Sequence, residues 1–223
     1  MTYLKELRRN DLWEIWKKYA RPEIFHERGQ YYSSENYEKQ KEEEYARRFE
    51  SGRELYDLLR DERCDDDSLV IDVGSNEGDE VSDLPFRMVC IEPSALTCKR
   101  GKEKYPHIKF VVGTADELPF ERGIFDAYIS LRTWCIAGVI PYEAFDATRS
   151  VLVPEGLVVV SFPLRFERIK ERTLDHAIDD SVKPVAEMTF EIFRNSIAYV
   201  KTLSTPEDFF IYGRLKKLTS VMV

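Results

Sequence analysis

Three acidic side chains in the sequence are spaced so that they can hold a nucleoside. Asp72 precedes Gly74 and Gly78, while Glu92 and Asp116 follow the next two apolar stretches of the chain. A carboxylate has two acceptor oxygens, so it can bind both hydroxyls of a ribose, and a further carboxylate can accept from an exocyclic adenine amine. The pattern predicts a site for an adenosine whose ribose hydroxyls are free.

The glycines of the stretch VIDVGSNEG, residues 70–78, predict a sharp turn at the end of a strand. Glycine has no Cβ, so it tolerates positive φ and lets the backbone approach a ligand closely. We expect a helix to follow this turn, with its N-terminus near the ligand. Asn76 lies between Gly74 and Gly78, and this spacing differs from the G-x-G-x-x-G of nicotinamide-binding turns.

From residue 69 onward, short apolar runs alternate with polar helical stretches, which is typical of βα units and a parallel sheet. The predicted strands are Leu69–Val73, Arg87–Ile91, Ile108–Val112, Phe125–Ser130 and Gly156–Phe162. The predicted helices are Asp79–Leu84, Ala95–Tyr105, Glu117–Phe120, Tyr142–Val151 and Pro184–Asn195. Two final alternating runs, Ile197–Leu203 and Phe209–Leu215, predict an antiparallel hairpin.

Five ordered motifs in this region resemble those of the class I S-adenosylmethionine-dependent methyltransferases, of the small methyltransferase-domain type. The motifs are residues 70–78 (VIDVGSNEG), 90–94 (CIEPS), 113–120 (GTADELPF), 125–130 (FDAYIS) and 151–161 (VLVPEGLVVVS). They are similar to the family's glycine turn, ribose-binding acid, adenine-contacting segment, fourth strand and the stretch before the fifth strand. The resemblance covers about residues 69 to 163.

The resemblance implies an α/β fold with a Rossmann-like, seven-stranded, mostly parallel sheet, a C-terminal antiparallel hairpin and helices on both faces. We expect a single methyltransferase domain over residues 1–223. Residues 1–66 are predicted to form an N-terminal helical cap and residues 67–223 the Rossmann-like core. A polar insertion on the substrate side is expected at about residues 164–182.

The cofactor that the resemblance implies is S-adenosyl-L-methionine, and no metal is expected. Asp72 would order the glycine turn and meet the methionine amino group, Glu92 would bind the ribose, and Asp116 would contact the adenine. The predicted cofactor-binding residues are Asp72, Gly74, Ser75, Asn76, Gly78, Glu92, Pro93, Ala115, Asp116, Glu117, Ser130, Tyr31 and Tyr32. The two tyrosines lie in an irregular aromatic segment, and a ring face suits a sulfonium.

Asn76 and Glu155 stand where the family usually has glycine. Asparagine tolerates left-handed backbone better than most residues, so the first departure is mild. Together they leave open a cofactor-binding protein without activity, and a protein methyltransferase is also open.

Arg132 and His176 are the candidate catalytic residues. Arg132 follows the predicted fourth strand, and a cation so near a sulfonium is unfavourable unless it meets an anion, which predicts a substrate carboxylate or phosphate. The alternative is an internal ion pair with a loop acid such as Asp72 or Glu77. His176 lies in the insertion and is the candidate general base.

A net charge of −8 argues against nonspecific binding of nucleic acid and favours a small-molecule acceptor. An RNA or tRNA methyltransferase stays open because the basic groups at 99–104 and 165–172 could form a local face. The chain has no apolar run of roughly 18 residues, so no membrane contact is expected. Four cysteines without C-x-x-C spacing argue against structural zinc and fit a reducing cytoplasm, and no signal peptide is evident.

Overall fold

The computed structural model describes residues 53–135, 139–163, 183–205 and 208–217, and within these ranges the chain forms a seven-stranded sheet between helices. The strands are β1 Leu69–Val73, β2 Arg87–Glu92, β3 Lys109–Val112, β4 Phe125–Leu131, β5 Leu152–Pro163, β6 Lys201–Ser204 and β7 Asp208–Arg214. The helices are α1 at 53–61, α2 Ala95–Lys104, α3 Pro141–Val151 and α4 Lys183–Ser196. Most of the predicted cap (1–52) and the insertion (164–182) lie outside the described residues.

The strands follow the order β3-β2-β1-β4-β5-β7-β6, and β7 runs antiparallel to both of its neighbours. The Rossmann-like sheet with its C-terminal hairpin is therefore confirmed. β1 pairs in parallel with both β2 and β4. The chain builds outward in opposite directions from β1 and β4, so the crevice at their carboxyl ends is the place where open α/β sheets bind ligands.

Two hydrophobic clusters cover the two faces of the sheet. Ile71 packs with Trp134 and Phe193 on the face of α3 and α4, whereas Val70 packs with Leu55 on the face of α1. Neighbouring residues of β1 enter different clusters because side chains alternate between the faces of a strand. Among the residues that the structure describes, no helix combines the length and hydropathy that a transmembrane span requires.

The helix predicted at Asp79–Leu84 is wrong, because this segment forms consecutive turns. The Val81 amide donates to the Gly78 carbonyl at 3.2 Å, and the Leu84 amide donates to the Val81 carbonyl at 3.1 Å. Pro85 disfavours helical backbone at Leu84, which leaves too few residues for a stable helical nucleus. No helix N-terminus therefore follows the glycine turn directly.

The one-turn helix predicted at Glu117–Phe120 is also wrong. The Glu117 amide closes a turn with the Thr114 carbonyl at 3.3 Å, and the segment then runs without helical structure. Pro119 has no amide hydrogen and disfavours helical backbone at Leu118.

Two strands begin four residues away from their predicted starts, whereas the other strand boundaries differ by at most one residue. β6 begins at Lys201 rather than Ile197, because the Ile197 amide still donates to the Phe193 carbonyl of α4 at 2.7 Å. β5 begins at Leu152 rather than Gly156, with an irregularity in its pairing to β4.

Candidate active site

The turn after β1 has left-handed backbone at three alternate positions. Gly74, Asn76 and Gly78 have φ of 80°, 53° and 82°. Asn76 adopts the conformation that asparagine tolerates among residues with a Cβ. The amides of Gly74 and Ser75 donate to the Ile91 carbonyl of β2 at 2.8 and 3.1 Å, which fixes the turn against the neighbouring strand.

Both glycines of the turn lie against protein atoms. A Cβ added to Gly74 would lie 2.0 Å from Thr133 Oγ1, and one added to Gly78 would lie 2.8 Å from the Phe110 ring. Neither position can carry a side chain without movement of these neighbours. The close approach at Gly74 places the segment after β4 directly on the turn after β1.

Glu92, the last residue of β2, joins the turn through its carboxylate. Oε2 accepts from the Asn76 amide at 3.2 Å, and Oε1 accepts from the Ser94 amide at 3.1 Å. Burial raises the pKa of the Glu92 carboxyl, although these two amides oppose the rise. A carboxylate has roughly four lone-pair directions, so two amide donors leave acceptor capacity for the hydroxyls of a ribose.

Asp72 is buried near the carboxyl end of β1. Burial raises its pKa well above the ordinary aspartate value, and the negative charges of Glu80 and Glu92 add to the effect. The amides of Gly74 and Ser75 donate to the Ile91 carbonyl and the Asn76 amide donates to Glu92, so these three amides are engaged away from Asp72. A cationic group beside Asp72 would favour the ionised carboxylate and so lower the pKa of Asp72.

The residues predicted to contact adenine lie on the segment after β3. Ala115 is buried, whereas Asp116 and Glu117 are exposed. Pro93, which follows Glu92, is also exposed. The segment is free of helical structure, so these side chains are presented from a loop with one turn beside the strand ends.

Ser130 is buried in β4, and its hydroxyl donates to the Val73 carbonyl at 2.9 Å. This bond joins the ends of β4 and β1 below the crevice. The Ser130 proton is thereby committed to the backbone, and its oxygen retains acceptor capacity.

Arg132 forms internal ion pairs, as the alternative interpretation of the sequence proposed, but with other acids than Asp72 or Glu77. Nε donates to Asp208 Oδ1 at 2.8 Å, Nη2 donates to Asp208 Oδ2, and Nη1 donates to Glu80 Oε1 at 2.9 Å. Its guanidinium is therefore engaged by two carboxylates, which compete with a substrate anion.

Glu80, Thr133 and Asp208 are site residues that the sequence analysis missed. Glu80 fell in the predicted helix, and Asp208 fell in the predicted hairpin turn. The separation of 76 residues between Arg132 and Asp208 left no local pattern from which their pairing could be found. Tyr31, Tyr32 and His176 lie outside the described residues.

Comparison with known proteins finds a similar domain in this part of the chain. Residues 71–160 match the family model described as "Methyltransferase domain", and this range holds the glycine turn, Glu92 and Arg132. Among curated protein sequences, none matches the chain.

Several solved structures share the fold. A putative S-adenosylmethionine-dependent methyltransferase from Methanococcus maripaludis has a TM-score of 0.60 at 13% identity, covering 83% of this chain and 93% of that one. A possible histamine N-methyltransferase from Thermotoga maritima has a TM-score of 0.53 at 20% identity, with coverage of 79% and 97%. A geranyl diphosphate methyltransferase in complex with S-adenosylmethionine has a TM-score of 0.55 at 11% identity, with coverage of 75% and 85%.

At these identities the structural likeness shows the fold, which is the Rossmann-like fold of class I methyltransferases. The family-model match spans residues 71–160, about two fifths of the chain, so this stretch is similar to the methyltransferase domain.

Proposed function

We propose that this protein transfers a methyl group from S-adenosylmethionine to a small molecule. The observation that carries the proposal is the acidic carboxyl edge of the sheet, where Asp72, Glu80, Glu92 and Asp208 gather. The charge of Arg132 at this edge is met by Glu80 and Asp208. A polyanionic acceptor such as RNA needs cations to neutralise its phosphates, so this edge disfavours it.

The names of two structural neighbours support a small acceptor. One is a geranyl diphosphate methyltransferase, and the other is a possible histamine N-methyltransferase. Their substrates differ in charge and size, so they support the class of acceptor without choosing a member.

The residues at the crevice fit the cofactor. When bound, the cofactor supplies an electrophilic methyl group on a sulfonium, and its methionine part carries an ammonium. Burial and two neighbouring carboxylates disfavour the ionised form of Asp72, and that ammonium gives it a charge partner. Glu92 accepts from the ribose hydroxyls, while Ala115 and Asp116 flank the adenine.

Other residues complete the proposed site. Gly74, Ser75, Asn76 and Gly78 shape the turn that receives the methionine part. Pro93 and Glu117 border the nucleoside, and Ser130 supports the floor between β1 and β4. The roles predicted for Tyr31 and Tyr32 at the cofactor, and for His176 as general base, fall outside the described residues.

The protein's main contribution is alignment of the acceptor atom with the methyl carbon and the sulfur. Holding reactants in such a geometry can lower a barrier by about 7–11 kcal/mol. No catalytic triad is therefore required. An anionic acceptor held by Arg132 loses support, because Asp208 and Glu80 already neutralise that side chain.

Transfer of labelled methyl from S-adenosylmethionine into fractionated cell extract tests the proposal. We expect label in the metabolite fraction with the wild type, and a large loss of label with Glu92→Gln. Label in the RNA or protein fraction, with none in metabolites, would refute the small-molecule assignment. Binding of bulk tRNA that weakens steeply with salt would favour the RNA alternative.

A further inference from the structure

Asp208, the first residue of β7, holds the side chain of Arg132 with both carboxylate oxygens. Oδ1 accepts from Nε at 2.8 Å, Oδ2 accepts from Nη2, and Ser161 Oγ also donates to Oδ1 at 3.2 Å. Asp208 is 1% exposed. A two-point pair removed from water fixes the direction of the guanidinium plane as well as its charge.

The backbone of Arg132 is held by the same group of residues. Its φ is 56°, a left-handed conformation that a residue with a Cβ adopts only when its surroundings impose it. The Arg132 amide donates to the Ser161 carbonyl at 3.1 Å and lies 3.2 Å from Ser161 Oγ. β5 and β7 therefore determine how the chain leaves β4.

The residue after Arg132 lies on the glycine turn. Thr133 Oγ1 is 2.0 Å from the place that a Cβ on Gly74 would take, so the two segments touch across the crevice between β1 and β4. A small shift of Thr133 changes the width of this crevice directly.

The remaining guanidinium nitrogen of Arg132, Nη1, contacts the turns that follow Gly78. Nη1 donates to Glu80 Oε1 at 2.9 Å. One side chain thereby joins the segment after β1, the segment after β4 and the start of β7. These are the two strand ends that border the ligand crevice, together with the hairpin beside them.

We propose that Asp208 is a positioning residue for methyl transfer, which acts through Arg132 to hold residues 132–134 against the glycine turn. This rests on the proposed function, since the crevice is where acceptor and cofactor meet. Loss of the Asp208 charge weakens the hold on Arg132, although Nη1 keeps its bond to Glu80, and lets Thr133 move. The turnover then falls before the affinity for the cofactor does.

Glu62 supplies a matched control. It is also a buried carboxylate bound by the hairpin, through Lys201 Nζ at 2.6 Å and the Tyr199 hydroxyl, and its carbonyl accepts from Arg214 at the far end of β7. Asp208→Asn and Glu62→Gln each remove one buried charge that ties down the hairpin. Both are expected to lower the thermal midpoint, but only the first alters the crevice.

The first readout needs no acceptor. Cys135 is half-buried and its thiol donates to the Arg132 carbonyl at 3.0 Å, so its rate of alkylation by iodoacetamide reports on this segment. Burial raises the pKa of Cys64 to about 11 and that of Cys90 well above the ordinary thiol value, which slows both. Mass spectrometry should show severalfold faster alkylation of Cys135 in Asp208→Asn and an unchanged rate in Glu62→Gln.

The second readout separates alignment from binding. With the metabolite fraction as acceptor, turnover in Asp208→Asn should fall about 100-fold, the loss that a misplacement of about 1 Å produces. The affinity of Asp208→Asn for S-adenosylhomocysteine, measured by calorimetry, should stay near that of the wild type. Asp208→Glu should recover part of the turnover, and Glu62→Gln should keep the wild-type turnover.

Equal losses of turnover in Asp208→Asn and Glu62→Gln, or unchanged alkylation of Cys135, would overturn the positioning role. A wild type that labels RNA would refute the proposed acceptor instead, and the two variants would then be compared on that RNA. A wild type that binds no S-adenosylhomocysteine would reject both proposals.

Discussion

The backbone amide of Asn76 donates a hydrogen bond to the Glu92 carboxylate across 3.2 Å. This bond joins the turn after β1 to the acid that ends β2, and it depends on the left-handed φ of Asn76. The same turn is tied to β2 through the Ile91 carbonyl. The two motifs are therefore one structural unit, and the glycine that the family usually places at position 76 is not needed to form it.

Replacement of Glu155 by glycine should stabilise the protein. Glu155 has φ of 62°, a conformation that costs a residue with a Cβ roughly 1–2 kcal/mol of folding free energy. Glycine relieves this strain, but its greater freedom in the unfolded chain lowers the stability by about 0.5–1 kcal/mol. The pair with Lys217, at 4.0 Å and exposed, contributes little. We expect a rise of a few tenths to about 1 kcal/mol in the free energy of unfolding by urea titration.

Glu155→Ala is the control for this prediction, because it removes the same charge and keeps a Cβ. It should show no gain in stability. Equal stabilisation by alanine and glycine would mean that backbone conformation at position 155 is not the cause.

Gly101→Ala should destabilise the protein although alanine favours helices. A Cβ here would lie 2.5 Å from the Phe110 ring and 2.9 Å from the Glu77 carbonyl oxygen. Alanine gains about 1 kcal/mol of helix propensity, but overpacking costs about 1–3 kcal/mol and a backbone oxygen cannot easily move. We expect a net loss of about 1 kcal/mol by thermal unfolding.

Phe110→Leu removes the ring and should relieve part of the cost of Gly101→Ala in a double-mutant cycle. Strictly additive effects would show that the two positions do not press on each other, contrary to the packing described above.

Affinity for the cofactor should rise with pH through ionisation of Asp72. Burial and the charges of Glu80 and Glu92 raise the pKa of Asp72 well above the ordinary value of 3.8, so the carboxyl stays protonated beyond the usual acid range. A cation binds the ionised form better, so binding releases a proton and strengthens as pH climbs through the raised pKa.

Calorimetric titration with S-adenosylhomocysteine from the acid range to above neutral pH checks this pH dependence. Asp72→Asn cannot ionise and should flatten the profile, apart from the contribution of Glu92, whose pKa burial also raises. Affinity that falls as pH rises would contradict the role given to Asp72.

Strands β1 to β5 could be predicted from the sequence because each carries an apolar run, and the hairpin could be predicted from the alternation of residues 197–203 and 209–215. The site acids Asp72 and Glu92 could be placed for the same reason, since they lie at or next to the ends of such runs. The turns at Asp79–Leu84 could not be predicted, because the spacing of the polar residues there also fits a helix. Only the restriction that Pro85 places on the backbone of Leu84 prevents the helix. The pair of Arg132 with Asp208 depends on the order of β5 and β7, which no local pattern encodes.

Binding of S-adenosylhomocysteine by the purified protein and by Glu92→Gln is the most direct test of the proposed site. Glu103→Gln, an exposed change on α2, is the control. We expect the wild type and the control to bind alike, and Glu92→Gln to lose about 10- to 100-fold in affinity, since a hydrogen bond to a charged group contributes roughly 1.5–3 kcal/mol. No binding by the wild type, or equal affinity in Glu92→Gln, would contradict the assignment of the crevice as the cofactor site.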